Sequence, residues 1–284
     1  MAFSSPQQLR PLNVGSVVSA GFSLWRTHFK TYVGLSGKAI LWYFVPIYGW
    51  ARSLMIMGQI GRLGFQEVIH QPETIPVSLR KVKPRLWSFL GIAMLVGIIQ
   101  FAVNYGISLI GGGVLFVVAT LGGEGGAPSL LSNLLLIVGQ LIIVTLQMWV
   151  QARLWLYDMI IAVETNTEAT ASISRSWQLT QGLSVRILLV LLVTYLVMLP
   201  LFVLALVPFL FTLPFLINIS PVEGPSSTVI LAVLMAALAF LVLIIVAAII
   251  TIPFWQSIKA VLYYDLRSRR EGLDIQLRDR PNTP

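Results

Sequence analysis

The residues able to do chemistry are few, and they crowd towards the end of the chain. The stretch VLYYDLRSRREGLD (residues 261–274) gathers Asp265, Glu271 and Asp274 with Arg267, Arg269 and Arg270, in a chain that is 57% hydrophobic and 11% charged. Such a cluster could be an acid–base site, a phosphate-binding patch or the rim of a membrane. Its charges cancel locally, which a phosphate patch would not choose. On a continuing helix Asp265–Arg269 and Arg267–Glu271 are i,i+4 pairs, each worth about 0.3–0.5 kcal/mol when exposed. Gly272 can end that helix. The reading that follows is a clasp fixing how the last helix leaves the membrane.

Elsewhere the catalytic inventory is thin. A metal-dependent hydrolase needs several His and carboxylate ligands converging on one ion, and the chain holds two histidines, His28 and His70. HQPET (residues 70–74) sets a histidine near a glutamate, but a histidine beside a proline in this way reads as a loop residue. No HExxH, GxSxG or GxxxxGK(S/T) occurs. GGG at 111–113 lacks the lysine of a phosphate cradle and reads as a helix break or a close-packing point. Cysteine is absent, which removes disulfides, thiolate nucleophiles and Cys-based metal sites. No enzymatic activity, metal or cofactor is expected.

The elements that carry these residues are apolar. The mean hydropathy is +0.85, far above the soluble range, and several stretches reach the roughly 20 residues needed to cross about 30 Å of hydrocarbon. Candidate spans are Tyr32–Met57, Trp87–Leu121, Leu130–Val163, Ile187–Ile217 and Val229–Ile252. Every lysine and arginine except Lys38 falls before the first stretch, from Arg52 near its end through residue 85, from Arg153 near the end of the third to the start of the fourth, or at the end of the chain. The turns GGEGGAPS (122–129) and NISPVEGPSS (218–227) carry none, so both should face away from the cytoplasm. A single first span would break this pattern. Pro46 and Gly49 in YFVPIYGW resolve it by dividing the stretch into two helices, the first beginning near Val14; the alternative is one kinked span with an exception to the rule, which gives five crossings.

The expected fold is all-α: a polytopic membrane bundle of about six transmembrane helices, with an amphipathic N-terminal segment, a short cytoplasmic surface helix and both termini cytoplasmic. Residues 1–13 read as a flexible tail, 14–272 as one helical domain and 273–284 as a second tail. The opening MAFSSPQQLRPLNVGS is polar where a secretory signal would be apolar, so the first span should act as its own insertion signal. The net charge of +8 points to anionic lipid at the cytoplasmic face, with membrane proteins as further partners, and not to nucleic acid.

Between the third and fourth stretches, Thr165-Asn166-Thr167-Glu168 fits a capping box and Gly182 a helix end, which places a surface helix at about 166–181. Ile173, Trp177 and Thr180 share one face of it. Trp25, Trp87 and Trp177 each precede a span beside basic residues, as interfacial anchoring favours; three repeated hairpins would explain this, and so would the general preference. The polar residues inside spans are Lys38, Asn104, Gln140, Gln147 and Asn218, with Arg153 and Asp158 near a cytoplasmic end. Lys38 can snorkel or act as a ligand. Gln140 and Gln147, seven apart, share a face that could line a cavity or bond between helices. Pro200, Pro208 and Pro214 should kink their helix, and no acid sits in a span centre to couple transport.

Three stretches together carry a resemblance: SAGFSLWRTHFKTYVGL, VETNTEATASISRSWQLTQG and LYYDLRSRREGLD. The chain resembles the bacterial multi-pass family named for the glycerophosphoryl diester phosphodiesterase membrane domain, through Glu164, Ala169, Arg175, Ser176, Trp177, Gly182, Tyr264, Asp265, Leu266, Arg267, Glu271, Gly272, Leu273 and Asp274. In the enzymes that give the family its name a separate soluble barrel carries the chemistry. The resemblance therefore implies a membrane domain in a prokaryotic membrane and no hydrolase. The expected function is a structural or accessory role through the basic cytoplasmic face, the alternative a small-molecule or lipid transporter. Glu164, Arg175 and Trp177 should meet Asp265, Arg267, Arg269 and Glu271.

Overall fold

The computed structural model describes residues 12–121, 130–164, 169–212 and 226–273, and every element among them is a helix. Helix α1 (Val14–Thr27) opens on Asn13, whose side chain accepts the Ser16 N–H at 2.6 Å. The chain bends at His28 and continues as α2 (Phe29–Tyr43). It then reverses through Phe44–Ile47 into α3 (Tyr48–Val68). Pro46 sits in that reversal because it cannot extend a helix. Gly49 follows, where a Cβ would strike the Trp42 carbonyl oxygen and the Val45 side chain.

Next come α4 (Ile75–Val82), a three-residue 3-10 turn at Lys83–Arg85, and α5 (Leu86–Leu121). They are followed by α6 (Leu130–Leu154), α7 (Tyr157–Val163), α8 (Ala169–Thr180), α9 (Ser184–Leu210) and α10 (Ser227–Glu271). Pro200 and Pro208 lie inside α9, and Pro253 lies inside α10. At 1.5 Å per residue, the 45 residues of α10 run about 68 Å.

Four segments are long and apolar enough to cross a membrane: Ile75–Val114, Asn133–Val163, Ser184–Leu210 and Ser227–Glu271. Helices α5 and α6 pair, α9 and α10 pair, and α6 joins the two pairs. Tyr195 meets Trp255 and Phe209 meets Phe240, so α9 and α10 run antiparallel. Away from the charged end these helices present Met94, Phe101, Leu109, Leu134, Leu141, Leu204, Leu231 and Leu241 to their surroundings.

The buried core lies at the charged end. There α3 packs against α2, α5, α7 and α10, enclosing Met55, Ile60, Phe65, Phe89, Met159, Phe254, Ile258 and Tyr263. Helix α1 lies antiparallel to the last third of α10: the Phe22 and Trp25 rings sit 6.3 and 5.9 Å from Phe254, while Leu12 meets Asp265. The same sequence thus changes role along α10, from an exposed apolar rod before Thr251 to a buried core helix after it.

Several expectations need adjustment. The break at Pro46 is present, but the second break at His28 leaves α2 with 15 residues, and neither α2 nor α3 is among the four helices of crossing length. Helix α3 is too polar on its buried sides, carrying Ser53, Gln59, Arg62 and Gln66 there. Leu12 and Asn13, assigned to a tail, are held by hydrogen bonds. The surface helix is α8; the capping box at 165–168, Pro214, Asn218, Asp274 and the turn 122–129 lie outside the described residues.

Candidate functional site

The charged end is built around the terminus of α7. A helix leaves its last carbonyls unpaired and carries partial negative charge there, and two arginines answer this one. Arg62 Nη1 donates to the Ala162 and Val163 carbonyls at 2.8 and 3.4 Å. Arg85 Nη1 donates to Ile161 O at 2.8 Å and to Glu164 O. Arg62 also grips Glu73 with two bonds, both 2.9 Å, and Lys81 Nζ adds a third at 2.5 Å. Burial alone would push the Glu73 carboxyl up, but the hydrogen bonds and charges of Arg62 and Lys81 outweigh it and hold it below the ordinary carboxylate range.

Beyond α7 lies a chain of alternating charges. Glu164 Oε1 accepts from the Tyr263 hydroxyl at 2.7 Å and from Arg175 Nε at 3.3 Å. Arg175 Nη2 turns to Glu271 Oε1, and Arg267 Nε reaches Glu271 Oε2 at 2.9 Å. Burial disfavours charge on Arg175, yet its two carboxylate partners raise its pKa above the ordinary value. Helices α7, α8 and α10 are thereby tied at one point.

Two smaller knots complete the end. Asp265, 3% exposed, accepts from Arg186 Nη2 at 2.9 Å, Arg269 Nε at 3.0 Å and the Leu12 N–H at 3.1 Å. Arg186 and Arg269 also donate to the Leu12 carbonyl. Arg270 donates to the Gln181 carbonyl beside Gly182, whose φ of 72° ends α8. Nearer the apolar region, Asp158 Oδ2 accepts from Lys259 at 2.7 Å and Gln256 at 2.9 Å.

Of the residues singled out in the sequence, Glu164, Arg175, Arg267 and Glu271 come together, and Asp265 and Arg269 form the neighbouring knot. Trp177 does not join them. Two positions from Arg175 on a helix, it faces elsewhere, with the Arg153 guanidinium 4.3 Å above its ring and Trp149 edge-on at 5.7 Å. Lys38 and Gln140 are exposed on α2 and α6. Gln147 donates to Ser108 Oγ at 3.2 Å and, with Gln100, Asn104 and Gln151, lines a cavity of about 340 Å³ between α5 and α6.

Sequence reasoning missed the roles of Arg62, Glu73, Arg85 and Asp158. Glu73 had one readable signal, a carboxylate within a run dominated by cations. In HQPET the glutamate is committed to Arg62 and Lys81, and His70 is an exposed turn residue with φ 58°. Among the described residues no group of three His, Cys, Asp or Glu could hold a metal. What the arrangement does chemically is neutralise: Glu73, Asp158, Glu164, Asp265 and Glu271 each pair with a lysine or arginine, and Glu67 lies 3.5 Å from His28. Compared with known proteins, the chain matches no family model, no curated protein and no solved structure.

Proposed function

We propose that the chain is a non-enzymatic integral membrane protein with a structural or accessory role, anchored by its four apolar helices and meeting anionic lipids or protein partners through a basic cytoplasmic face. The observation that carries this is the charge balance at the charged end. The described carboxylates other than Glu67 are engaged by lysine or arginine, while Arg26, Lys30, Arg80 and Lys83 remain exposed. Helix α4 sets exposed Ile75 and Val77 beside Arg80 and Lys81, a combination suited to lying on an anionic surface, where each Lys or Arg is worth about 1 kcal/mol. The resemblance to the phosphodiesterase membrane-domain family enters as a proposal on the same footing, supported by the contact between its two pattern-rich stretches.

For topology we take both termini and the segment 52–85 to be cytoplasmic. Six crossings would require α2 and α3 to traverse the bilayer. With 15 residues, α2 reaches about 22 Å against about 30 Å of hydrocarbon, so we place the hairpin within the cytoplasmic leaflet, its exposed Leu41, Tyr43, Phe44 and Ile47 in lipid. A second reading, a small-molecule or lipid permease, is favoured by the polar groove between α5 and α6. Reconstitution in lipid discs tests the first reading. Added phosphatidylglycerol should raise the thermal midpoint in a salt-sensitive way, and Arg80→Ser with Lys83→Ser should remove that rise. A midpoint that phosphatidylglycerol leaves unchanged would oppose it.

A further inference from the structure

Among the described residues, the groove between α5 and α6 gathers polar side chains that the charged end does not explain. The two helices run antiparallel, Gly111 meeting Ile143 and Ser108 meeting Gln147. Between them Gln100, Asn104, Gln147 and Gln151 line a cavity of about 340 Å³, together with Val144 and Met148. Four carboxamides line it in two helices that are otherwise mostly apolar, where polar groups are expensive and carry function. Helix–helix bonding consumes only part of this set: Gln147 bonds across to Ser108 on α5, while Asn104 Oδ1 is buried with no hydrogen-bond partner. A buried carbonyl left unsatisfied is costly, so the site calls for a donor.

Position and charge narrow the ligand. Gln147 and Gln151 lie within about 11 Å of the end of α6 at Leu154, just before the buried Trp155, on which Trp255 packs at 5.6 Å with the exposed Tyr195 4.8 Å beyond it. Tryptophan and tyrosine are enriched at the headgroup level. No charged side chain lines the cavity, so an ion entering it would be stripped of water without a counter-charge. Carboxamides donate and accept at once, which suits hydroxyl groups. The surface beside the groove is apolar, with Phe101 and Tyr105 stacked at 5.8 Å and both exposed.

We propose that this groove is a lateral binding site for a lipid with an uncharged, hydroxyl-bearing headgroup, its hydroxyls meeting Asn104 and Gln147 and its acyl chains lying along α5 and α6. The site is separate from the basic face and rests on reading α5 and α6 as membrane-spanning.

The test is native mass spectrometry of the full chain released from lipid discs containing equal dioleoylglycerol, monoglucosyl diacylglycerol and phosphatidylglycerol. The neutral hydroxyl lipids should be retained, and Asn104→Leu with Gln147→Leu should reduce that retention about tenfold through the loss of two hydrogen bonds. Phosphatidylglycerol retention should stay unchanged. Gln140→Leu, on α6 outside the groove, should behave as the parent chain. Equal retention of neutral lipid by the double variant overturns the proposal. So does displacement of that lipid by free glycerol or glucose, which would make the ligand a soluble polyol. A dimer that the double variant loses would also overturn it, since a second copy would then fill the groove. Extraction of the protein from membranes by alkaline carbonate without detergent would instead refute the membrane reading beneath it.

Discussion

Arg62 and Glu73 hold each other by two parallel bonds, Nε to Oε2 and Nη2 to Oε1, both 2.9 Å, with the side chains only 5% and 9% exposed. Because the same guanidinium caps Ala162, the pair joins α3, the segment before α4 and the end of α7. Removing one partner of a buried pair costs about 3–5 kcal/mol, since the other charge is left without compensation. Arg62→Met and Glu73→Gln should each lower unfolding stability in detergent by about that amount. Lys81→Ser, whose side chain is 48% exposed, should cost under about 1 kcal/mol.

The same carboxylate sets an acid limit. Its folded pKa lies below the ordinary 4.5, so its contribution is complete above that value and fades as pH falls through the lowered folded one. Stability scanned from pH 6 to pH 3 should show a loss confined below about pH 4.5 that is smaller in Glu73→Gln. An acid loss of equal size in both proteins would refute the assignment.

The tie between Arg175 and Glu271 spans 96 residues of sequence. Partial exposure, 31% and 23% of the two side chains, keeps the pair modest. A double-mutant cycle with Arg175→Met and Glu271→Gln should give a coupling of about 0.5–1 kcal/mol. Tyr263→Phe should cost about 1–2 kcal/mol, because the buried phenol gives up its bond to the half-buried Glu164 carboxylate. Additive single effects would remove the clasp from the account.

What could be read in advance was whatever depends on local periodicity and backbone rules. Pro46 marked the reversal between α2 and α3. Gly182 and Gly272 marked helix ends and adopt φ of 72° and 60°. The spacing of Asp265, Arg267, Arg269 and Glu271 gave their i,i+4 pairs, at 3.0 and 2.9 Å. The partners of Arg62, Arg85 and Asp158 depend on which helix ends meet in space, and nothing within eleven or a hundred residues of sequence specifies that. The bend at His28 was hidden because FSLWRTHFKTYV is periodic throughout. Gln140 and Gln147 show the same limit: seven residues put them on one face of α6, but only Gln147 faces Ser108.

The place of the α2–α3 tip can be checked without background labelling, since the chain contains no cysteine. Phe44→Cys and Ile47→Cys should resist a membrane-impermeant maleimide from either side and be quenched by nitroxide lipids at shallow depth. Labelling from the non-cytoplasmic side would restore six crossings. Labelling from the cytoplasmic side would put the tip in water.

The central claim, an accessory membrane protein acting through its basic face, is most directly tested by native purification in lipid discs with mass spectrometry of everything retained. Anionic lipids, or a protein partner recovered reproducibly, should co-purify and be lost together when Arg26, Lys30, Arg80 and Lys83 are replaced by serine. Recovery of the chain with neither, or with the same lipids and proteins after those replacements, would contradict it.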